Sequence, residues 1–190
     1  MHSPASSRWI VSRLWSHLAY PVDPTDPVVG DLAPAYAADL DVRPLLRAIF
    51  LHRQFSSEQA RTGLVKQPVE YVVGALRALR VAADTKTLDV LQQLGQVPFA
   101  PPSVGGWPQN GYWLSTAASL ARLRFANALA NAADLQELSA LPGSQRPDRL
   151  ARLLSIVRWS APTDAVLRRV SGDPRTLVAL ALTSPDYVVN

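Results

Sequence analysis

Apolar residues in this chain recur three and four positions apart, the spacing of one helix face, and nowhere alternate singly over the length of a strand. Val11, Leu14, Trp15 and Leu18, flanked by Ile10, make the first stripe. Ser3 with Pro4 opens that helix and Pro21 stops it. A second helix is expected over 27–39, disturbed at Pro34. Asp41 caps a third, with Val42, Leu45, Leu46 and Ile49 inward and His52 in its last turn, near the free carbonyls. After an irregular polar stretch (56–67), Pro68 opens a helix to about Arg80. Val69, Val72, Val73, Leu76 and Leu79 form its buried side, and Gly74 implies that another backbone passes close by. A shorter helix over 85–94 ends at Gly95, well placed as a left-handed cap.

Ser115 or Thr116 caps the longest helix, which runs to Asn131. Its inward line is Leu114, Ala118, Ala121, Phe125 and Leu129, with Arg122 and Arg124 flanking it; the alanines admit a neighbouring helix. Short helical pieces follow over 135–141, 149–160, 164–171 and 174–183, with Asp134, Asp148, Thr163 and Asp173 near their starts. The pattern predicts an all-α protein: one helical domain over 1–190, a bundle of about eight to nine helices. Its core would span 5–131, with a short-helix segment over 134–190.

One stretch departs from this periodicity. Between Gly95 and the long helix lie Pro98, Pro101, Pro102 and Pro108, three glycines (Gly105, Gly106, Gly111) and the tryptophans Trp107 and Trp113. Prolines stiffen such a loop, glycines open backbone conformations closed to other residues, and large indoles supply internal packing. The first reading is an ordered loop whose tryptophans plug the core. The second is a rigid binding element for a glycan, a peptide or a partner surface.

Composition removes several chemistries. There is no cysteine, so disulfides and thiolate chemistry are excluded. The three histidines, His2, His17 and His52, are not within helical reach of one another, and no metal set is expected. Asp23 and Asp26, three apart and each before or near a proline, read as turn and helix-start devices. The net charge of +4 comes from 17 arginines and 2 lysines against 15 acids. The arginines are dispersed without a dense run, which favours solvated helix faces over a nucleic-acid surface.

No apolar run approaches the roughly 18–20 residues that span a bilayer. The N-terminus lacks the basic and apolar regions of a secretory leader, so the sequence as written reads as cytoplasmic. Phosphate-loop, zinc-helix and nucleophile-elbow motifs are absent, leaving no catalytic residue or cofactor to assign. The polar groups expected near the loop are Glu70, Arg77, Gln96 and Arg122, which with Trp107 and Trp113 make the candidate binding set.

The segments VKQPVEYVVGALRAL (65–79), LGQVPFAPPSVGGWP (94–108), YWLSTAASLARLRFA (112–126) and TSPDY (183–187) resemble the C-terminal part of the bacterial DUF1800 family, a domain of unknown function. RWIVSRLWSHL (8–18) and DVRPLLRAIF (41–50) fit as well. Two places depart from it: Ser103 stands where relatives commonly have Asn, and His52-Arg53-Gln54 replaces a stretch that more often ends an LxSPEF-like pattern. The resemblance implies a larger exported bacterial protein of which this chain lacks the N-terminal portion. It brings no catalytic residues. Two functions are therefore expected to compete: a helical scaffold or interaction protein, working with a protein partner or the missing half, and a fragment of an enzyme with a pocket near the GGWP loop.

Overall fold

The computed structural model of the chain describes residues 3–189; His2 and Asn190 lie outside them. Among the described residues there are twelve α-helices, nine of them eight residues or longer, and no strand beyond an isolated bridge between Val65 and Val189. The all-α expectation and the number of substantial helices hold. The chain divides into two compact units, one ending at Leu64 and one spanning Val65–Val189.

The first unit contains α1 (Pro4–Leu18), α2 (Pro27–Ala37), α3 (Val42–Leu51) and a single turn α4 (Glu58–Arg61). Its core is Val11, Trp15, Val28, Val29, Leu32, Leu45 and Ile49. Asp26 and Asp41 cap α2 and α3 through the backbone N–H groups of Val28 and Arg43, at 2.9 Å each. Asp23 accepts from the Thr25 backbone at 2.7 Å, so both aspartates of the connector serve local backbone as expected. No group of metal-ligating side chains occurs among the described residues.

His52 departs from its expected role. It ends α3, but its Nδ1 accepts from the Gln54 backbone at 3.3 Å and thereby caps a 3-10 turn over Arg53–Ser56. That turn ends where the stretch expected to be irregular begins, and α4 lies within that stretch. Gly63 is where the chain passes closest to its neighbours: a Cβ there would lie 2.4 Å from the Tyr20 Cβ and 2.7 Å from the Ala19 carbonyl.

The second unit contains α5 (Pro68–Ala78), α6 (Thr85–Leu94), α7 (Thr116–Ala132), α8 (Gln136–Ser139), α9 (Arg146–Leu153), α10 (Ala161–Arg169), α11 (Pro174–Thr183) and α12 (Pro185–Val188). The most extensive helix contact is between α7 and α11. Ala118, Ala121, Ala126 and Ala130 of α7 are buried in the same core as Leu177, Val178, Ala181 and Leu182 of α11. Gly95 ends α6 at φ +84°, the left-handed cap read from the sequence.

Three details differ from the expected pattern. Val73 and Leu114 are exposed, their inward places being taken by Tyr71 and Trp113. Gly74 faces the Tyr187 hydroxyl rather than another backbone; a Cβ there would lie 3.2 Å from it. The helices expected over 149–160 and 164–171 instead run over Arg146–Leu153 and Ala161–Arg169, each with proline in its first turn. Ser155 at φ +58° turns the chain between them. Asp148 and Thr163 accordingly lie inside the first turns and not at the caps.

Candidate functional site in the second unit

The signature loop has two parts with opposite environments. Residues 98–105 are all exposed, and their order comes from short local bonds. The Ala100 N–H donates to the Val97 carbonyl at 3.1 Å and Gly106 to that of Ser103 at 3.0 Å. The Ser103 hydroxyl also accepts from Gly105 at 3.2 Å, the turn-closing role that Asn fills equally well. Phe99, at φ +65°, and Val104 lie fully in solvent.

From Gly106 onward the chain turns inward. Asn110 accepts from the Val65 backbone at 3.3 Å, a 3-10 turn over Asn110–Leu114 follows, and Trp113 is buried at 2% exposure. Its indole packs edge-on against Tyr112 at 5.3 Å and lies near the Gly95 cap. Trp113 is a plug, while Trp107 is only half-buried.

Two further latches hold the base of the loop. The buried Gln96, next to the α6 cap, accepts from the Val69 backbone at 3.0 Å and donates from Nε2 to Gln67 Oε1 at 2.6 Å. It thereby satisfies one of the first-turn N–H groups of α5, which have no intrahelical acceptor. Glu70 closes the same helix start by accepting from the Gln67 backbone at 2.9 Å. The second latch is Arg122, whose Nη1 donates to the Trp113 carbonyl at 2.7 Å.

Arg122 is 3% exposed, and among the described residues it is the one buried side chain of the acidic and basic types. Its guanidinium stands 5.3 Å from the centre of the Tyr71 ring. Tyr71 in turn lies 5.4 Å from Tyr187, and Lys66 Nζ is 4.0 Å over the Tyr187 ring. Hydrogen bonds fix this column: Tyr71 donates to the Leu182 carbonyl, Tyr187 to the Tyr71 carbonyl and Lys66 to the Tyr187 carbonyl. Two cations and two phenols thus follow one another in contact, and among the described residues neither cation makes an ion pair.

The protonation energetics follow. Burial pushes Arg122 down from the usual guanidinium range, with Tyr71 acting weakly the other way. Burial likewise lowers Lys66, opposed by the Glu70 charge, and raises both phenols. Burying a charge without a paired opposite charge costs several kcal/mol.

Among the described residues of this unit, the buried side-chain polar atoms without a protein partner are Trp107 Nε1, Trp113 Nε1, Arg122 Nε and Arg122 Nη2. All four are N–H donors, and all fall between positions 107 and 122.

Of the six residues picked from sequence, Gln96, Trp113 and Arg122 lie at the loop base, and Glu70 joins Gln96 through Gln67. Arg77 is exposed on the solvent side of α5. Hollows of about 780, 420 and 320 Å³ occur on this unit, and none of these three is lined by any of the six. Sequence reading missed Lys66, Tyr71 and Tyr187, although TSPDY had marked the last. It also placed Arg122 beside the inward line of α7. The spacing Ala118, Arg122, Phe125, Leu129 is itself helical, and that register is the signal for burial.

No curated protein and no solved structure matches this chain. A family model described as a protein of unknown function, DUF1800, matches residues 1–189. The quoted loop, the helix behind it and the closing TSPDY all fall within that match, and the chain belongs to the DUF1800 family.

Proposed function

We propose that the chain is an interaction module whose contact element is the tip of the 98–105 loop, directed at a protein partner. The observation that carries this reading is the full exposure of Phe99 and Val104 on a loop whose base is pinned by Trp113, Arg122 and Gln96. Apolar side chains left in water on an ordered support are a feature of contact surfaces. Further apolar side chains are exposed in the same stretch of sequence: Tyr112, Leu114, and Leu120 and Leu123 of α7.

The tip is all exposed and so offers no enclosure for a small molecule, which favours the broad surface of another protein. A pinned base also lowers the ordering entropy that docking must overcome. No helix among the described residues is long and apolar enough to cross a membrane.

Site-specific photo-crosslinking tests this. A benzoylphenylalanine at position 99 or 104, in the cell that makes the protein, is expected to capture the same discrete protein adduct. The same probe at Val157, equally exposed on α9–α10 connecting chain, should not capture it. No adduct at 99 and 104, or an identical pattern at 157, refutes the proposal.

A further inference from the structure

We infer that Arg122 is the receptor of an oxyanion, a carboxylate or phosphate group held by the Nε–Nη2 edge of its guanidinium. The three outer positions of this side chain are used unequally. Nη1 is committed to the Trp113 carbonyl, while Nε and Nη2 are buried and have no acceptor in the protein. Those two nitrogens form the side-on fork of arginine, whose parallel N–H bonds match two oxygens of a carboxylate or phosphate.

The surroundings favour an anion over a neutral group. The guanidinium is buried, the Tyr71 ring lies against it, and among the described residues no carboxylate is within ion-pair distance of it. The ion pairs of this unit, Arg149–Glu137 and Arg168 with Asp148 and Asp164, are all at least partly exposed and leave Arg122 uncompensated. In the same unit Trp107 Nε1 and Trp113 Nε1 are also buried donors without a protein acceptor, and Trp113 is bonded to Arg122 through its backbone carbonyl. Among the described residues, each unpartnered buried side-chain polar atom of this unit is thus a donor. Phe99 and Val104 take no part, so the assignment stands whether or not the loop tip docks a protein.

The test follows the arginine Nε–H resonances of the ¹⁵N-labelled chain during titration with sodium acetate and, separately, inorganic phosphate. Sodium chloride holds ionic strength constant. One Nε–H signal, absent from the spectrum of Arg122→Lys, is expected to shift saturably. A shift with acetate alone identifies a carboxylate, with phosphate alone a phosphate group, and with both a general oxyanion site. A signal unmoved by either anion refutes the assignment and leaves internal water as the partner.

Thermal unfolding gives a second measurement that does not need the assignment. Phosphate stabilises many proteins by exclusion from their surface, so the informative quantity is the difference between the wild type and Arg122→Lys or Arg122→Gln. At ten times the titration midpoint, binding raises the folded-to-unfolded ratio about elevenfold in the wild type only. Equal increments in wild type and variants overturn the inference.

Discussion

Replacing Gln96 with leucine isolates the latch between α6 and α5. The side chain is 5% exposed and fills a space that leucine fills almost equally, so neither a cavity nor a clash should dominate. What is lost is the acceptor for the Val69 N–H, at 3.0 Å, and the donor to Gln67, at 2.6 Å. Gln67 is partly exposed and can recruit water. Val69 is the second residue of α5, where no carbonyl of the helix can take its N–H. An unmet buried donor costs about 1–3 kcal/mol, equivalent to roughly a 5- to 150-fold change in an equilibrium constant. Because Val69 is half-buried, the loss belongs in the lower half of that range. Urea unfolding followed by circular dichroism gives the global loss, and hydrogen exchange at the Val69 amide gives the local one. Gln96→Asn keeps the polarity but not the reach and should fall between the two. An unaltered unfolding midpoint together with unaltered Val69 exchange refutes the argument that this bond holds the helix start.

Three further outcomes are expected. In the first unit, Gly63→Ala must push a Cβ into atoms at 2.4–2.7 Å and should cost about 1–3 kcal/mol in urea unfolding, whereas Gly30→Ala, inside α2 with nothing within 4 Å, should gain up to about 1 kcal/mol. Asp186 accepts from the Ser160 backbone, the Ser160 hydroxyl and Thr163; burial raises its pKa, but these bonds outweigh it and hold it below the ordinary carboxylate range. A lowered native pKa stabilises the fold above the unfolded value and less as pH falls through the native one. The stability difference between wild type and Asp186→Asn should therefore be full near pH 6 and shrink below about pH 4. Gly74→Ala should gain more stability in Tyr187→Phe than in the wild type, because the hydroxyl 3.2 Å from the new Cβ is then gone; additivity in that double-mutant cycle would count against the contact.

Local signals carried much of this architecture. Gly95, Asp26, Asp41 and Asp173 each act within a turn of their own position, and each takes its expected place. The misplaced features depend on partners distant in sequence. The start of α10 at Ala161 is braced by Asp186, 26 residues beyond Ser160, and no local pattern announces that. The buried side of α5 includes Tyr71, which the apolar stripe Val69, Val72, Val73, Leu76 and Leu79 leaves out, while Val73 is exposed. Tyr71 and Tyr187 bury their rings and spend their hydroxyls on carbonyls. Arg122 flanks the predicted inward line of α7 and is nonetheless buried. Its burial depends on Tyr71, Trp113 and a helix register, only the last of which is written in neighbouring residues.

The same segment thus performs two jobs that constrain each other. The tip can keep Phe99 and Val104 in water only because the base is bonded to α5 and α7. The base is bonded through a guanidinium whose remaining edge has no protein acceptor. An oxyanion on that edge would hold Arg122 and the Trp113 carbonyl more firmly, lowering the entropy still to be lost when the tip docks. Linkage makes this effect reciprocal: whatever factor the anion contributes to partner affinity, the partner contributes to anion affinity. The size of that factor depends on how much motion the base retains without the anion. With Trp113 at 2% exposure and Gln96 latched on both sides, little motion is left, and the coupling should fall at the low end of the usual range, about fivefold.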